Sequence, residues 1–290
     1  MADQPLTSRT PTTPRTATAE AMAAEIDAGQ PLIALSPHLD DAVLSCGALL
    51  LHARVRAPVT VVSFFTEAAP PPYTLSGRQY LRQTGATDAE ELYAARRDED
   101  RAVMAELGVA WSHLGLVDGL FRRRSGRSPH TGGLAGRLPE IDHVYPTYRL
   151  HLSRGRVSRH DAKTLNAATK VIAALLPPGR GLVLAPLGVG GHADHVLVRT
   201  AAERSGQRVA YYSDFPYNQR HRPDPAFTAR HDFVACAWED GLAEKQELIR
   251  GYRTQADALF PQGAIPLAPE VYLLTEDVRA APAHRTGGGS

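Results

Sequence analysis

Pro31-Leu-Ile-Ala-Leu-Ser-Pro-His-Leu-Asp-Asp-Ala-Val-Leu-Ser-Cys-Gly47 is the stretch whose reading decides the fold. Residues 32–35 form an apolar run too short for a helix and suited to a buried strand, and Ser36-Pro37 end it. Val43, Leu44, Ala48 and Leu49 then offer the apolar face of a following helix. His38, Asp40 and Asp41 fall between the two, at the carboxyl edge where ligands bind in open α/β sheets. Two carboxylates and an imidazole so close together are costly to pack unless solvent, hydrogen bonds or a metal occupies them. The stretch reads as one half of a metal site.

Working outward, the chain repeats the strand–helix rhythm of a parallel sheet. Residues 58–65 are a second buried strand, 109–114 a short third, 181–185 a fourth and 208–212 a fifth. Further strands are expected near 233–236 and 271–274. Helices are expected over 17–26, 90–107, 161–176 and 241–260, with Gly108 capping the second. On that second helix Leu92, Ala95, Val103 and Leu107 make an apolar stripe, and Arg96 to Arg101 a charged surface. Two stretches look irregular. Residues 68–90 form a long loop beside the carboxyl edge, a placement that suggests a share in the site. Residues 116–158 carry Arg122-Arg-Arg124 among scattered glycines, which fits either an anion-binding loop or a solvated excursion.

The other half of the site is His192-Ala-Asp-His195. It follows the fourth strand through a turn with glycines at 188, 190 and 191, which lets the backbone approach a ligand closely. Both motifs therefore place histidine and aspartate after a buried strand, at the start of a helix. Imidazoles with one carboxylate and an open water position suit zinc, and iron(II) or another divalent first-row metal is also compatible. Hydrolysis at such a site also needs a carboxylate to take the water's proton, and Asp40 lies beside Asp41.

The composition is that of a globular enzyme: 290 residues, 43 % hydrophobic, 22 % charged, formal net charge +1. That charge gives no global drive toward nucleic acid, and no stacking or helix-turn-helix pattern suggests one. No run approaches the roughly 20 apolar residues of a membrane span, and no signal peptide is evident, so a cytoplasmic location is expected. Cys46 and Cys236 make no disulfide framework, and Cys46 reads as a small buried thiol. The expected organisation is a disordered or partly helical extension over 1–28, one domain over 29–279 and a loose tail over 280–290. His52, His113, His130, His143, His151, His160, His221 and His231 read as surface histidines. A homo-oligomer is left open.

Ser36-Pro-His-Leu-Asp-Asp41 resembles the Ala-His-Pro-Asp-Asp signature of the LmbE-like, or PIG-L, zinc deacetylases, which include the mycothiol- and bacillithiol-pathway deacetylases. His192-Ala-Asp-His195 is similar to their His-Pro-Asp-His motif. The resemblance implies a Rossmann-like three-layer α/β/α domain with a mostly parallel sheet and the active site at the carboxyl ends of the strands. It implies His38, Asp41 and His195 as metal ligands and Asp40 as general base. It places His192 at the oxyanion, as imidazolium or acid, with Asp194 orienting it. Arg96, three residues before Glu99, fits a substrate-contact spacing, and Asp118, Asp214 and Tyr217 are candidate pocket residues. Leu39, Ala42 and Ala193 depart from the family pattern, and none of them removes a proposed ligand or base.

The expected function is metal-dependent hydrolysis of the N-acyl group of a small molecule, an amino sugar or glycosylated compound. The alternative is an inactive relative that binds carbohydrate or a partner. A nucleotide-dependent enzyme is disfavoured, because the first turn carries His-Leu-Asp-Asp in place of a glycine fingerprint and no phosphate loop is present.

Overall fold

The structure, a computed structural model, describes residues 14–124 and 138–279. The expectations for residues 1–13, for the tail over 280–290, for His130 and for the glycines at 126, 132, 133 and 136 lie outside the described residues. The strands are β1 (Leu32–Ser36), β2 (Val59–Glu67), β3 (Ala110–Val117), β4 (Leu182–Pro186), β5 (Val209–Tyr212), β6 (Val234–Trp238) and β7 (Glu270–Leu274). The helices are α1 (Pro14–Asp27), α2 (Asp41–Ala53), α3 (Leu75–Gln83), α4 (Ala89–Leu107), α5 (Ala162–Leu175) and α6 (Ala193–Arg204). They continue with α7 (Pro225–Thr228), α8 (Leu242–Arg250), α9 (Arg253–Leu259) and α10 (Glu276–Arg279).

The sheet runs β3-β2-β1-β4-β5-β7-β6. The first five strands are parallel, while β7 is antiparallel to both β5 and β6. Successive β1 residues feed opposite faces, as the pleat requires. Leu32 and Ala34 enter the core shared with α1, α2 and α8, and Ile33 and Leu35 enter the core shared with α5 and α6. β4 does the same with Leu182 and Leu184 against Val183 and Ala185. The result is the expected Rossmann-like α/β/α sandwich. Strand order reverses between β1 and β4, so the loops carrying His38 and His192 open onto one crevice at the topological switch point. Among the described residues no helix is long and apolar enough to cross a membrane.

Three expectations are corrected. The stretch 68–90 is not irregular throughout, because Thr74 accepts a hydrogen bond from the Gly77 N–H at 3.0 Å and starts α3. That cap was hidden among neighbouring prolines. The helix over 241–260 is two helices, α8 and α9, broken at Gly251 and Tyr252; a Cβ on Gly251 would meet Val103 Cγ2 at 2.4 Å. On α4, Ala95 is exposed while Arg96 and Asp100 are buried. Buried charges took part of the face assigned to the stripe because partners wait for them: Asp100 accepts from Tyr252 Oη at 2.7 Å and pairs with His113 Nε2 at 2.7 Å. Both cysteines are buried and unpaired.

Candidate active site

β1 ends at Ser36, whose hydroxyl donates to the His38 carbonyl and accepts the Ala42 N–H at 2.9 Å. That turn delivers His38, Asp40 and Asp41 to the crevice. Asp40 occupies the N-cap position of α2 yet makes no side-chain capping bond, so helix capping does not account for it. Opposite, the turn after β4 is drawn against residues 153–155: the Gly155 N–H donates to the Gly191 carbonyl at 2.7 Å. A Cβ on Gly191, at φ +73°, would lie 3.0 Å from Gly155 N, so that approach requires glycine.

Asp41 Oδ2 is the hub of the cluster. It lies 3.1 Å from His38 Nδ1 and 3.3 Å from His195 Nε2, and it accepts the His38 backbone N–H at 2.8 Å. Donors held by one tetrahedral zinc at about 2.0–2.2 Å stand roughly 3.3 Å apart, so these two contacts already have that spacing. His38, His192 and His195 also each offer a ring nitrogen within 4.8 Å of the others. Five buried carboxylates crowd here, those of Asp40, Asp41, Asp118, Asp194 and Asp214, against the two guanidinium groups of Arg96 and Arg122. Donor set, spacing and charge all fit a divalent cation.

Electrostatics separates the two adjacent aspartates. Burial, reinforced by the charge of Asp41, pushes Asp40 up to about 6, with Arg96 and His38 pulling the other way. Burial also opposes the charge of Asp41, but His195 and the hydrogen bonds from His38 outweigh it and hold that carboxyl well below the usual range. One carboxylate is thus poised near neutrality, as proton transfer favours, and its neighbour stays charged, as ligation requires. His192 is held neutral, because burial and then His38 push it down to about 4. Its Nδ1 accepts the Asp194 N–H at 3.3 Å, so the proton sits on Nε2. Of the roles expected for His192, imidazolium or acid, this arrangement favours a neutral N–H donor.

Asp194 does not orient His192 through its carboxylate. Its Oδ2 lies 3.3 Å from His38 Nε2 and accepts the Gly119 N–H at 2.7 Å, and its Oδ1 accepts from Arg122. Asp118 also faces His38 Nε2, at 3.3 Å, and accepts from Tyr93 Oη at 2.5 Å and the Leu120 N–H at 2.7 Å. These carboxylates are already served by donors, so they hold and polarise His38 from behind and do not form a second metal position. Asp214 acts likewise on His195, at 2.6 Å from Nδ1, and is absent from the cleft wall. Sequence reading missed Arg122 in this role. It is neither an anion hook nor a solvated residue: it donates to Asp161 at 2.8 Å and packs 4.7 Å over the Phe65 ring. Its only signal was its closeness to Asp118. Arg123 and Arg124 donate to backbone carbonyls of Pro72 and His143 at 3.4 and 3.1 Å.

The crevice opens into a cleft of about 980 Å³. His38, Asp40, Asp41, Arg96, Asp118, His192, His195 and Tyr217 line it, so the two halves expected from sequence meet there. Arg96 lies 3.7 Å from Asp40 and 3.4 Å from Tyr80 Oη, and Glu99, three residues on, accepts from Thr254. α3 adds Ser76, Gln79 and Tyr80 to the wall, which gives the 68–90 stretch its share in the site.

The GlcNAc-PI de-N-acetylase family profile (PIG-L) matches residues 33–205. A 2'-N-acetylparomamine deacetylase of Streptomyces fradiae is 32 % identical over 234 residues, covering 77 % of this chain and 72 % of that protein. A solved deacetylase–teicoplanin complex of the teicoplanin biosynthesis pathway aligns with TM-score 0.61 at 23 % identity, over 84 % of this chain and 98 % of that one. The A40926 pseudoaglycone deacetylase aligns with TM-score 0.56 at 22 % identity, over 85 % and 96 %. The family match takes in both edge motifs together with the strands that carry them, and this chain belongs to the PIG-L, or LmbE-like, family.

Proposed function

We propose that this protein is a metal-dependent N-deacetylase of acylated amino sugars, with zinc, or another divalent first-row ion, held by His38, Asp41 and His195. The observation that carries the reading is Asp41 Oδ2 standing between His38 Nδ1 and His195 Nε2 at 3.1 and 3.3 Å, beside an Asp40 carboxylate left free of capping. A divalent ion held there would acidify a water and polarise the amide carbonyl. Asp40, poised near 6, takes the proton of the attacking water and returns it to the departing nitrogen. Arg96, 3.7 Å away, steadies the charge of Asp40 between those events. His192 presents Nε2–H to the oxygen that becomes negative in the tetrahedral intermediate, a neutral donor in an oxyanion-hole role. Asp118 and Asp194 fix the His38 ring, and Asp214 fixes the His195 ring. The substrate in the name of the Streptomyces fradiae relative, 2'-N-acetylparomamine, supports the choice of an N-acetylated amino sugar.

The test compares two variants of the full chain for bound zinc and for acetate released from a panel of N-acetyl amino sugars. Asp40→Asn is expected to keep the metal and lose most hydrolysis, whereas His38→Ala loses both. Equal metal loss in the two variants would mean that base and ligand are exchanged. A wild-type protein that binds zinc but releases no acetate from any member of the panel would favour the alternative of an inactive carbohydrate-binding relative.

A further inference from the structure

One buried ion pair takes no part in the cleft. Lys245 of α8 and Glu270 at the start of β7 are 4 and 2 % exposed, stand 3.0 Å apart and do not line the cleft. Replacing such a pair by apolar groups is often neutral or stabilising, so stability alone is a weak reason for its presence. What the pair touches supplies a better one.

Glu270 reaches into the middle of α2. Its Oε1 accepts the Ala48 N–H at 2.9 Å and its Oε2 the Leu49 N–H at 3.0 Å, and Tyr272 Oη donates to Oε2 at 2.8 Å. Interior helix N–H groups ordinarily serve carbonyls four residues back, and a side chain that takes two of them enters the ladder itself. Both carboxylate oxygens therefore grip α2 and fix where it sits along its own axis. Asp41 opens that helix, seven residues before Ala48 and about 10 Å along the axis. Lys245 meets the same helix: a Cβ on Gly47 would lie 3.1 Å from Lys245 Cγ, so glycine there leaves room for the lysine stem.

The pair also faces the segment after β5. The Lys245 ammonium lies 5.1 Å from the centroid of the Phe215 ring, an attractive placement for a cation. The Phe215 N–H donates to Ser45 Oγ on α2 at 3.1 Å, and the Ser213 N–H donates to the Val271 carbonyl of β7 at 2.8 Å. Asp214 is thus held between two residues anchored on α2 and β7, the elements that Glu270 joins. Asp41 belongs to one of those elements, and Asp214 sets the nitrogen that His195 offers. The supports of both halves of the metal site meet at this pair.

We propose that Lys245 and Glu270 are positioning residues for the metal centre, which together with Ser45 set the separation of Asp41 from the His195–Asp214 pair. This rests on the reading of His38, Asp41 and His195 as metal ligands. Neither group of the pair reaches the cleft, so their loss acts through ligand geometry, on metal affinity and kcat, and leaves KM.

The test uses the full chain as Lys245→Met with Glu270→Gln, which removes both charges and nearly preserves side-chain size; the amide has one acceptor oxygen in place of two. Zinc affinity, measured by competition with a chelator, is expected to fall about tenfold, and kcat for N-acetyl amino sugars to fall with KM unchanged. The visible absorption of the cobalt(II)-loaded protein follows ligand geometry and should differ from that of the wild type. Ser45→Ala keeps the pair but removes the acceptor of the Phe215 N–H. It should lower zinc affinity and alter the cobalt spectrum as well, and it decides the matter if the double variant does not fold. Zinc affinity and a cobalt spectrum unchanged in either variant, whatever happens to urea stability, assign the pair to stability alone; that overturns the proposal and leaves the deacetylase reading intact. Altered metal readouts in variants of a chain that releases no acetate from any N-acetyl sugar uphold the positioning role and remove the deacetylase reading. A wild-type chain that binds neither ion removes both.

Discussion

His195 Nδ1 and a carboxylate oxygen of Asp214 lie 2.6 Å apart, and this pair decides which nitrogen His195 turns toward Asp41. A carboxylate accepts, so Nδ1 carries a proton and Nε2 is the nitrogen left to face the Asp41 carboxylate, 3.3 Å from Oδ2. The other Asp214 oxygen accepts the Val189 N–H at 2.8 Å and pins the glycine-rich turn. Asp214→Ala is therefore expected to weaken zinc binding by about 10–100-fold. Competition with a chelator of known affinity measures this, and an unchanged affinity would show that His195 holds its orientation without help.

Arg122 is the cation on which Asp194, behind His38, and Asp161 depend. It donates to Asp161 and to Asp194, and its Nη1 donates to the Val117 carbonyl at 2.6 Å. Asp194 is held well below the usual carboxylate range because Arg122, and then His38, outweigh its burial. Removing one partner of a buried pair costs about 3–5 kcal/mol, since the other charge is left uncompensated. Arg122→Met should lower stability by that amount in urea unfolding, and Arg122→Lys should recover only part, lacking the fork that spans two carboxylates. A loss under ~1 kcal/mol in the Met variant would mean that Asp161 and Asp194 find other donors.

How much of this was legible in the sequence depends on distance along the chain. His38, Asp40, Asp41, His192 and His195 sit in two short motifs, each directly after a strand whose apolar run is plain, so the floor of the cleft could be read. The partners behind them come from elsewhere: Asp118 follows β3, Asp214 follows β5, Arg122 enters from a stretch without periodicity and Asp161 from the N-terminal edge of α5. Asp118 and Asp214 lie at sheet edges, but only the folded chain shows that both meet histidines, Asp118 on the cleft wall and Asp214 off it. Arg96 and Asp100 misled the reading of α4 for a related reason. A helical pattern cannot reveal that a charged residue has a buried partner on another element.

Gly119 offers a test of how closely the carboxylates behind His38 must be held. A Cβ there would stand 2.7 Å from Leu152 Cδ1 and 3.0 and 3.1 Å from the two Asp194 oxygens. The Gly119 N–H is itself a donor to Asp194, so the added methyl pushes on the group its own backbone binds. Overpacking of this kind costs about 1–3 kcal/mol. Gly119→Ala is expected to lower kcat by about tenfold, since a misplacement of about 1 Å near a reacting centre is felt at that scale or above. Stability and kcat measured together decide it, and a variant that loses stability but keeps full kcat would separate Asp194 from the chemistry.

His143 supplies a pH dependence remote from the cleft floor. Sequence placed it at the surface, but it is 1 % exposed and its Nδ1 donates to the Pro139 carbonyl at 2.7 Å. Burial, with Arg123 adding to it, lowers its pKa below the ordinary value, so the folded protein disfavours the imidazolium. The unfolded chain then binds more protons between the folded pKa and about 6.5, and stability rises with pH across that window. The contribution is complete above about 6.5 and is lost as the pH falls, at no more than about 1.4 kcal/mol per pH unit for one group. His143→Gln removes this titration, while the other histidines titrate in both proteins and cancel in the difference. Urea unfolding at pH 7, 6 and 5 should show the variant losing less stability than the wild type on acidification. Parallel losses would mean that the His143 ring takes up its proton in the folded state as readily as in the unfolded chain.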